Sequence, residues 1–162
     1  MASQKCAERN APAPAVARFA YPAASCSVGA ARRALRDTLV GWDLEHLVET
    51  GALLTSELAT NAVLHGRTSL LLDLAVHQQR LRVTVADRNP MLPRRRQHGL
   101  QAGTGRGLAL IAALSVDHGV QTPFHDYAKG VWFELALDGA ETACTDEGAI
   151  YGQDWLALLG ES

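Results

Sequence analysis

Residues 68–87, TSLLLDLAVHQQRLRVTVAD, decide the architecture. In the second half Leu81, Val83 and Val85 alternate with Arg82, Thr84 and Ala86, which predicts a strand with one face buried and the other less so. The first half, 68–77, is β-rich as well, and Gln78-Gln79 between the two runs is the spacing of a hairpin. Upstream the apolar period is helical. From Ser27, a suitable N-cap, Val28, Ala31, Leu35, Leu39 and Trp42 recur at helical spacing and predict a helix that stops near Gly41–Trp42. A longer helix is predicted from about Leu44 to His65, with Leu44, Leu47, Val48, Gly51, Leu54, Leu58 and Ala62 on one stripe and Gly66 placed to end it. Downstream, residues 88–102 show no period and contain Pro90, Pro93, Gly99 and Arg94-Arg95-Arg96. Long loops inside compact domains are usually lids or binding loops. Gly103 to Gly107 then opens a third helix, Leu108 to Leu114, and 116–121 and 131–137 read as the last strands. With an edge strand at 16–21, the order lacks the repeated strand-helix alternation of a doubly wound sheet. The expected class is α+β: a two-layer sandwich of a mixed, mostly antiparallel sheet with three helices on one face.

The 162 residues suit one domain, and 48% hydrophobic with 20% charged residues is globular composition. Fifteen basic against seventeen acidic residues give a net charge of -2, which argues against affinity drawn mainly from nucleic-acid phosphates. The charge is unevenly spread: residues 1–137 hold all fifteen basic and eleven acidic residues, leaving +4, whereas 138–162 hold six acids and no Lys or Arg. Residues 1–15, rich in Ala and Pro, read as a disordered lead-in, 16–137 as the folded domain, and 138–162 as an acidic tail. The tail is either a segment packing on the body or a regulatory, partner-binding one. Cys6, Cys26 and Cys144 form neither a C-x-x-C pair nor a zinc spacing, which fits a reducing cytoplasm. No apolar run approaches the roughly 20 residues that cross a bilayer, so no membrane association is expected.

Three constellations could carry chemistry. Glu57, Asn61 and His65 stack at i, i+4 and i+8 beside the apolar stripe of the long helix. Such a row suits a solvated helix edge; it also suits a bound ion, since polar groups at a core edge need partners and an amide oxygen is a good Mg2+ ligand when phosphates and water supply the rest. Asp87 ends an apolar strand before Arg88-Asn89-Pro90. It is either a turn former or a buried acceptor for the exocyclic amine of a base. In Gly103-Thr104-Gly105-Arg106-Gly107-Leu108, three alternate glycines before a helix permit close backbone approach, and the free N–H groups of the helix start favour an anion. A flexible hinge is the other reading of that run. A dinucleotide fingerprint would need Gly at 108, and a Walker A loop would need a Lys in the run.

The order and spacing of these runs carry a resemblance. Glu57-Leu-Ala-Thr-Asn61-Ala-Val-Leu-His65, Val-Ala-Asp87 and Gly103-Thr-Gly105-Arg-Gly107-Leu108 are similar to the N, G1 and G2 boxes of the GHKL, or histidine-kinase-like, ATPase superfamily. The Thr-Asn-Ala-x-x-His-Gly and Gly-Arg-Gly-Leu runs and the late Lys129-Gly-Val-Trp132-Phe-Glu-Leu strand most resemble its anti-sigma-factor serine kinase branch, in particular the actinobacterial-type single-domain members. The resemblance spans about residues 16–137 and implies a Bergerat-type ATP-binding fold. It further implies that Asn61 coordinates Mg2+ on ATP, that Glu57 orients and helps deprotonate a serine hydroxyl or water, and that Asp87 accepts from the adenine amine. Gly103, Gly105 and Gly107, with Thr104 and the Leu108 end of the run, would hold the phosphates, and Arg106 would stabilise the transferred phosphoryl group. His65 receives no catalytic role. The implied activity is that of an ATP-dependent protein serine/threonine kinase. Its implied partners are a sigma factor and/or a small anti-anti-sigma antagonist protein, with a homodimer as a further expectation and no direct contact with nucleic acid. The alternative is a nucleotide-gated protein-binding module with little or no turnover. One departure stands out: the G1 form D-x-G-x-G is Asp87-Arg88-Asn89-Pro90-Met91 here, without either glycine. Asn enters positive-φ conformations at modest cost and is the expected substitute for the first of them.

Overall fold

The computed structural model describes residues 15–92 and 106–138. The chain runs β1 (Ala15–Tyr21), α1 (Cys26–Gly41), α2 (Val48–Asn61), β2 (Leu70–His77), β3 (Arg80–Asp87), α3 (Arg106–Leu114), β4 (Asp117–Gln121) and β5 (Lys129–Ala136). A 3-10 turn, Glu45–Leu47, leads into α2, and a π-helical turn, Ala62–Gly66, leads out of it. This is the expected α+β sandwich, with the expected element order.

The sheet order is β1-β2-β3-β5-β4, and every neighbouring pair is antiparallel. β3 and β4 run in the same direction, joined through α3, but β5 lies between them. The parallel relation anticipated in a mixed sheet therefore exists without a parallel ladder. On one face Leu72 pairs with Val85 and Val85 with Val131, while Leu74 pairs with Val83 and Val83 with Phe133. These side chains form one buried cluster with Ala31, Leu35 and Leu39 of α1 and Leu54 and Leu58 of α2. The two helices pack closely at Gly51, where a Cβ would sit 3.4 Å from Leu35 Cδ2. The opposite face is closed by polar and aromatic contacts. Arg82 stacks on Trp132 at 4.0 Å, Arg80 and Arg82 both pair with Glu134, Arg18 pairs with Asp73, and Phe124 lies against Gly130.

Three local expectations are corrected. Ser25 rather than Ser27 occupies the N-cap of α1, and the Ser27 hydroxyl donates to the Pro22 carbonyl at 2.7 Å. The long helix does not start at Leu44, because Asp43 is left-handed and residues 45–47 form a 3-10 turn. Leu44 and Leu47 are nevertheless buried as their spacing requires, since residues three apart share a side of a 3-10 turn. Gly66 is not the left-handed stop; that residue is Arg67, with φ 50°. The lack of a side chain at Gly66 serves Asp87, whose Cγ would lie 3.3 Å from a Cβ there. Cys26 is exposed and unbridged, while Cys6, Cys144, the lead-in up to residue 14 and the tail from residue 139 lie outside the described residues.

Candidate functional site

The polar residues singled out above gather where α2 and its π turn meet the end of β3 and the start of α3. Glu57 projects from α2 towards Gly107, where a Cβ would lie 2.7 Å from Glu57 Oε2 and 3.2 Å from Glu57 Cβ. Only glycine lets α3 begin this close to the carboxylate. Further along, Gly66 covers Asp87. Asn61, one turn after Glu57 and at the C-terminal end of α2, lies on the chain between these two contacts. Glu57 and Asn61 are half-buried, and neither side chain makes a hydrogen bond or ion pair among the described residues. A carboxylate and an amide oxygen are thus both available to a ligand.

Asp87 is buried, 4% exposed, at the last position of β3. Directly opposite in the register stands Lys129, 5% exposed, the first residue of β5. Lys129 Nζ donates to Asp87 Oδ1 at 2.7 Å and to the Asn89 carbonyl at 2.6 Å. The Asn89 backbone N–H also donates to Asp87 Oδ1, at 2.8 Å, which closes a local Asx turn. Turn former and buried acceptor, the two readings of Asp87, both hold. The Asn89 side chain braces the same turn, donating to the His65 carbonyl at 2.9 Å and accepting from the Met91 N–H at 2.9 Å. Asn89 is absent from the positive-φ residues, so it does not imitate a glycine; its amide side chain fixes the turn instead. Arg88 points the other way. Its guanidinium donates to the Asp126 carbonyl at 3.0 Å and lies 4.7 Å from the Tyr127 ring.

Arg106, the first residue of α3, is exposed and makes no ion pair among the described residues. Leu108 is 2% exposed, with its side chain in the core, so only its backbone could face a ligand. Gly103, Thr104, Gly105 and the Arg94–Arg96 stretch lie outside the described residues. Sequence reasoning missed Lys129, Asn89 and the use of Gly66. The opposite charges at one end of β3 and of β5 were the available signal for Lys129, but reading it required knowing that these two strands are neighbours.

A family model described as a histidine kinase-like ATPase domain matches residues 21–131, the span from the end of β1 into β5. The chain belongs to this family. Comparison with curated proteins gives no match. Membership makes the chain an ATP-binding, kinase-like ATPase domain, in agreement with the superfamily inferred from the three boxes. The matched span includes Glu57, Asn61, Asp87 and Gly107 of this ATPase domain. Among its described residues no helix is long and apolar enough to cross a membrane.

Proposed function

We propose that this ATPase domain is a regulatory protein serine/threonine kinase of anti-sigma-factor type, which phosphorylates a serine of a small antagonist protein and/or binds a sigma factor in the cytoplasm. The observation that carries the reading is the contact between Glu57 and Gly107. A partnerless carboxylate lies against the first turn of a helix whose preceding glycine run suits phosphates, where a base for an incoming hydroxyl is needed. In this reading Glu57 orients the serine hydroxyl and takes its proton. The backbone N–H groups of Gly103, Gly105 and Gly107, with Thr104, hold phosphate oxygens, and Arg106 neutralises charge on the transferred group. Asp87 accepts from the 6-amino group of adenine.

The donor set fits Mg2+ bound together with ATP. No group of three His, Cys, Asp or Glu side chains among the described residues could hold a metal alone, whereas Asn61 offers one neutral oxygen to an ion otherwise held by phosphate and water. When bound, Mg2+ would offset the negative charge of the phosphates. Incubation with Mg-ATP and candidate antagonist proteins tests the proposal. Phosphoserine should form on the antagonist, and Glu57→Ala should lower its rate by roughly 100-fold or more, in the range expected when a positioned base is removed. Unchanged phosphotransfer would take Glu57 out of the mechanism.

A second reading is favoured by Asn89-Pro90-Met91 standing where the family has glycines. There the domain is a nucleotide-gated binding module: ATP alters partner affinity and no phosphoprotein forms.

A further inference from the structure

We propose that Lys129 is a positioning residue for base selection: it holds Asp87 so that one carboxylate oxygen, Oδ2, faces the ligand, which restricts the site to purines carrying a donor at position 6. The inference rests on the reading of Asp87 as the base acceptor and names what fixes its specificity. Two donors, Lys129 Nζ and the Asn89 N–H, converge on Oδ1 at 2.7 and 2.8 Å, and no described group binds Oδ2. The second bond of the ammonium, to the Asn89 carbonyl, ties the carboxylate to the turn that follows it. That turn is anchored in turn to α2 through the His65 carbonyl. The carboxylate therefore cannot rotate without breaking bonds to β5 and to its own turn, and the turn cannot shift without breaking its bond to the π turn. In a turn with no glycine, the ammonium and the Asn89 amide supply the rigidity.

Net stability is a poor explanation for the pair. Buried ion pairs contribute little compared with a matched apolar pair, and they persist where geometry is needed. An ionised carboxylate is an acceptor only. It therefore pairs with a 6-amino group and repels the 6-oxo group of inosine or guanine.

The test compares ATP with inosine triphosphate, which differs from it only in bearing oxygen at position 6, by equilibrium binding to the full chain with melting temperatures measured in parallel. The wild-type chain should prefer ATP by roughly 10- to 100-fold, the worth of a charge-assisted hydrogen bond. Lys129→Met should lower ATP affinity by a similar factor and inosine triphosphate affinity by less than about threefold, so that the ratio falls towards one. General loosening of the domain would weaken both ligands alike, and that outcome overturns the proposal. So does a ratio that Lys129→Met leaves unchanged. Because Lys129→Met alone strands a buried carboxylate, Asp87→Asn is also compared with the Asp87→Asn/Lys129→Met double variant. If Lys129 acts through Asp87, the second substitution leaves the ratio where the first put it; a further fall refutes that route. A wild-type chain that binds both nucleotides with equal affinity refutes the base-acceptor reading of Asp87 itself, whereas a normal wild-type ratio retained by Lys129→Met refutes only the role of Lys129.

Discussion

Gly107 meets two requirements at once, helix geometry and room for Glu57. A methyl at this position would meet both the Cβ and the carboxylate of Glu57. Gly107→Ala is therefore expected to displace the carboxylate more than it disturbs the core. Phosphotransfer should fall by about 100-fold, the penalty for a misplacement of roughly 1 Å, with little change in melting temperature. A variant that keeps its rate, or one that loses rate only in proportion to lost fold, would dissociate Gly107 from the site. At this scale much of the site was legible in the sequence. Glu57 and Asn61 share a helical period, and alternate glycines before a helix have few other uses. Lys129 was not legible, because its partner lies 42 positions away and nothing local marks it. Asn89 was recognised as the replacement for a glycine but assigned the wrong device: a backbone conformation was expected, and a side-chain brace is found.

The elements were easier to read than their ends. β3 was predicted at Arg80–Asp87 and is found there, because strict alternation has no other explanation over eight residues. The ends of α2 were misread, since α, 3-10 and π turns bury nearly the same apolar spacing. The β2–β3 hairpin shows another limit. Gln78 and Gln79 were recognised by spacing alone, and both adopt positive φ, 48° and 62°. Two successive left-handed residues are what a type I′ turn demands, and Asn-Gly satisfies that demand with less strain than Gln-Gln. The double substitution Gln78→Asn/Gln79→Gly is thus expected to stabilise the fold by about 1 kcal/mol or more, read as a higher urea midpoint at unchanged slope. An equal or lower midpoint would mean that the two glutamines carry no strain.

For the molecule as a whole, the helices on one face and the Trp132 and Phe124 contacts on the other leave few titrating groups inside. His118 is one of them. It lies on the helix-facing side of β4, opposite Phe133, with Ser115 Oγ 3.2 Å from its Nδ1. Burial pushes its pKa below the ordinary 6.5, and the nearby Asp117 only partly opposes this. The unfolded chain thus takes up a proton near pH 6.5 that the folded chain accepts only at lower pH. This contribution to stability is fully present above that range and is lost as the pH falls below about 6.5. Urea midpoints should decline between pH 7.5 and 5.5, and His118→Gln should reduce the decline; an identical decline in the variant would absolve the histidine. The layer architecture itself was readable from the order of elements. The place of β5 between β3 and β4 was not, because a single sequence does not encode which strand fills a gap.

The π-helical turn at 62–66 has a consequence for how this chain can change over evolutionary time. Such a turn holds one more residue than ordinary winding, and deleting any residue within it would restore regular α geometry while rotating everything downstream by about 100°. The His65 carbonyl would swing away from the Asn89 amide, and Gly66 would no longer cover Asp87. Insertions and deletions should thus be absent from this five-residue segment in any descendant that still selects its base, however freely its surface loops change length.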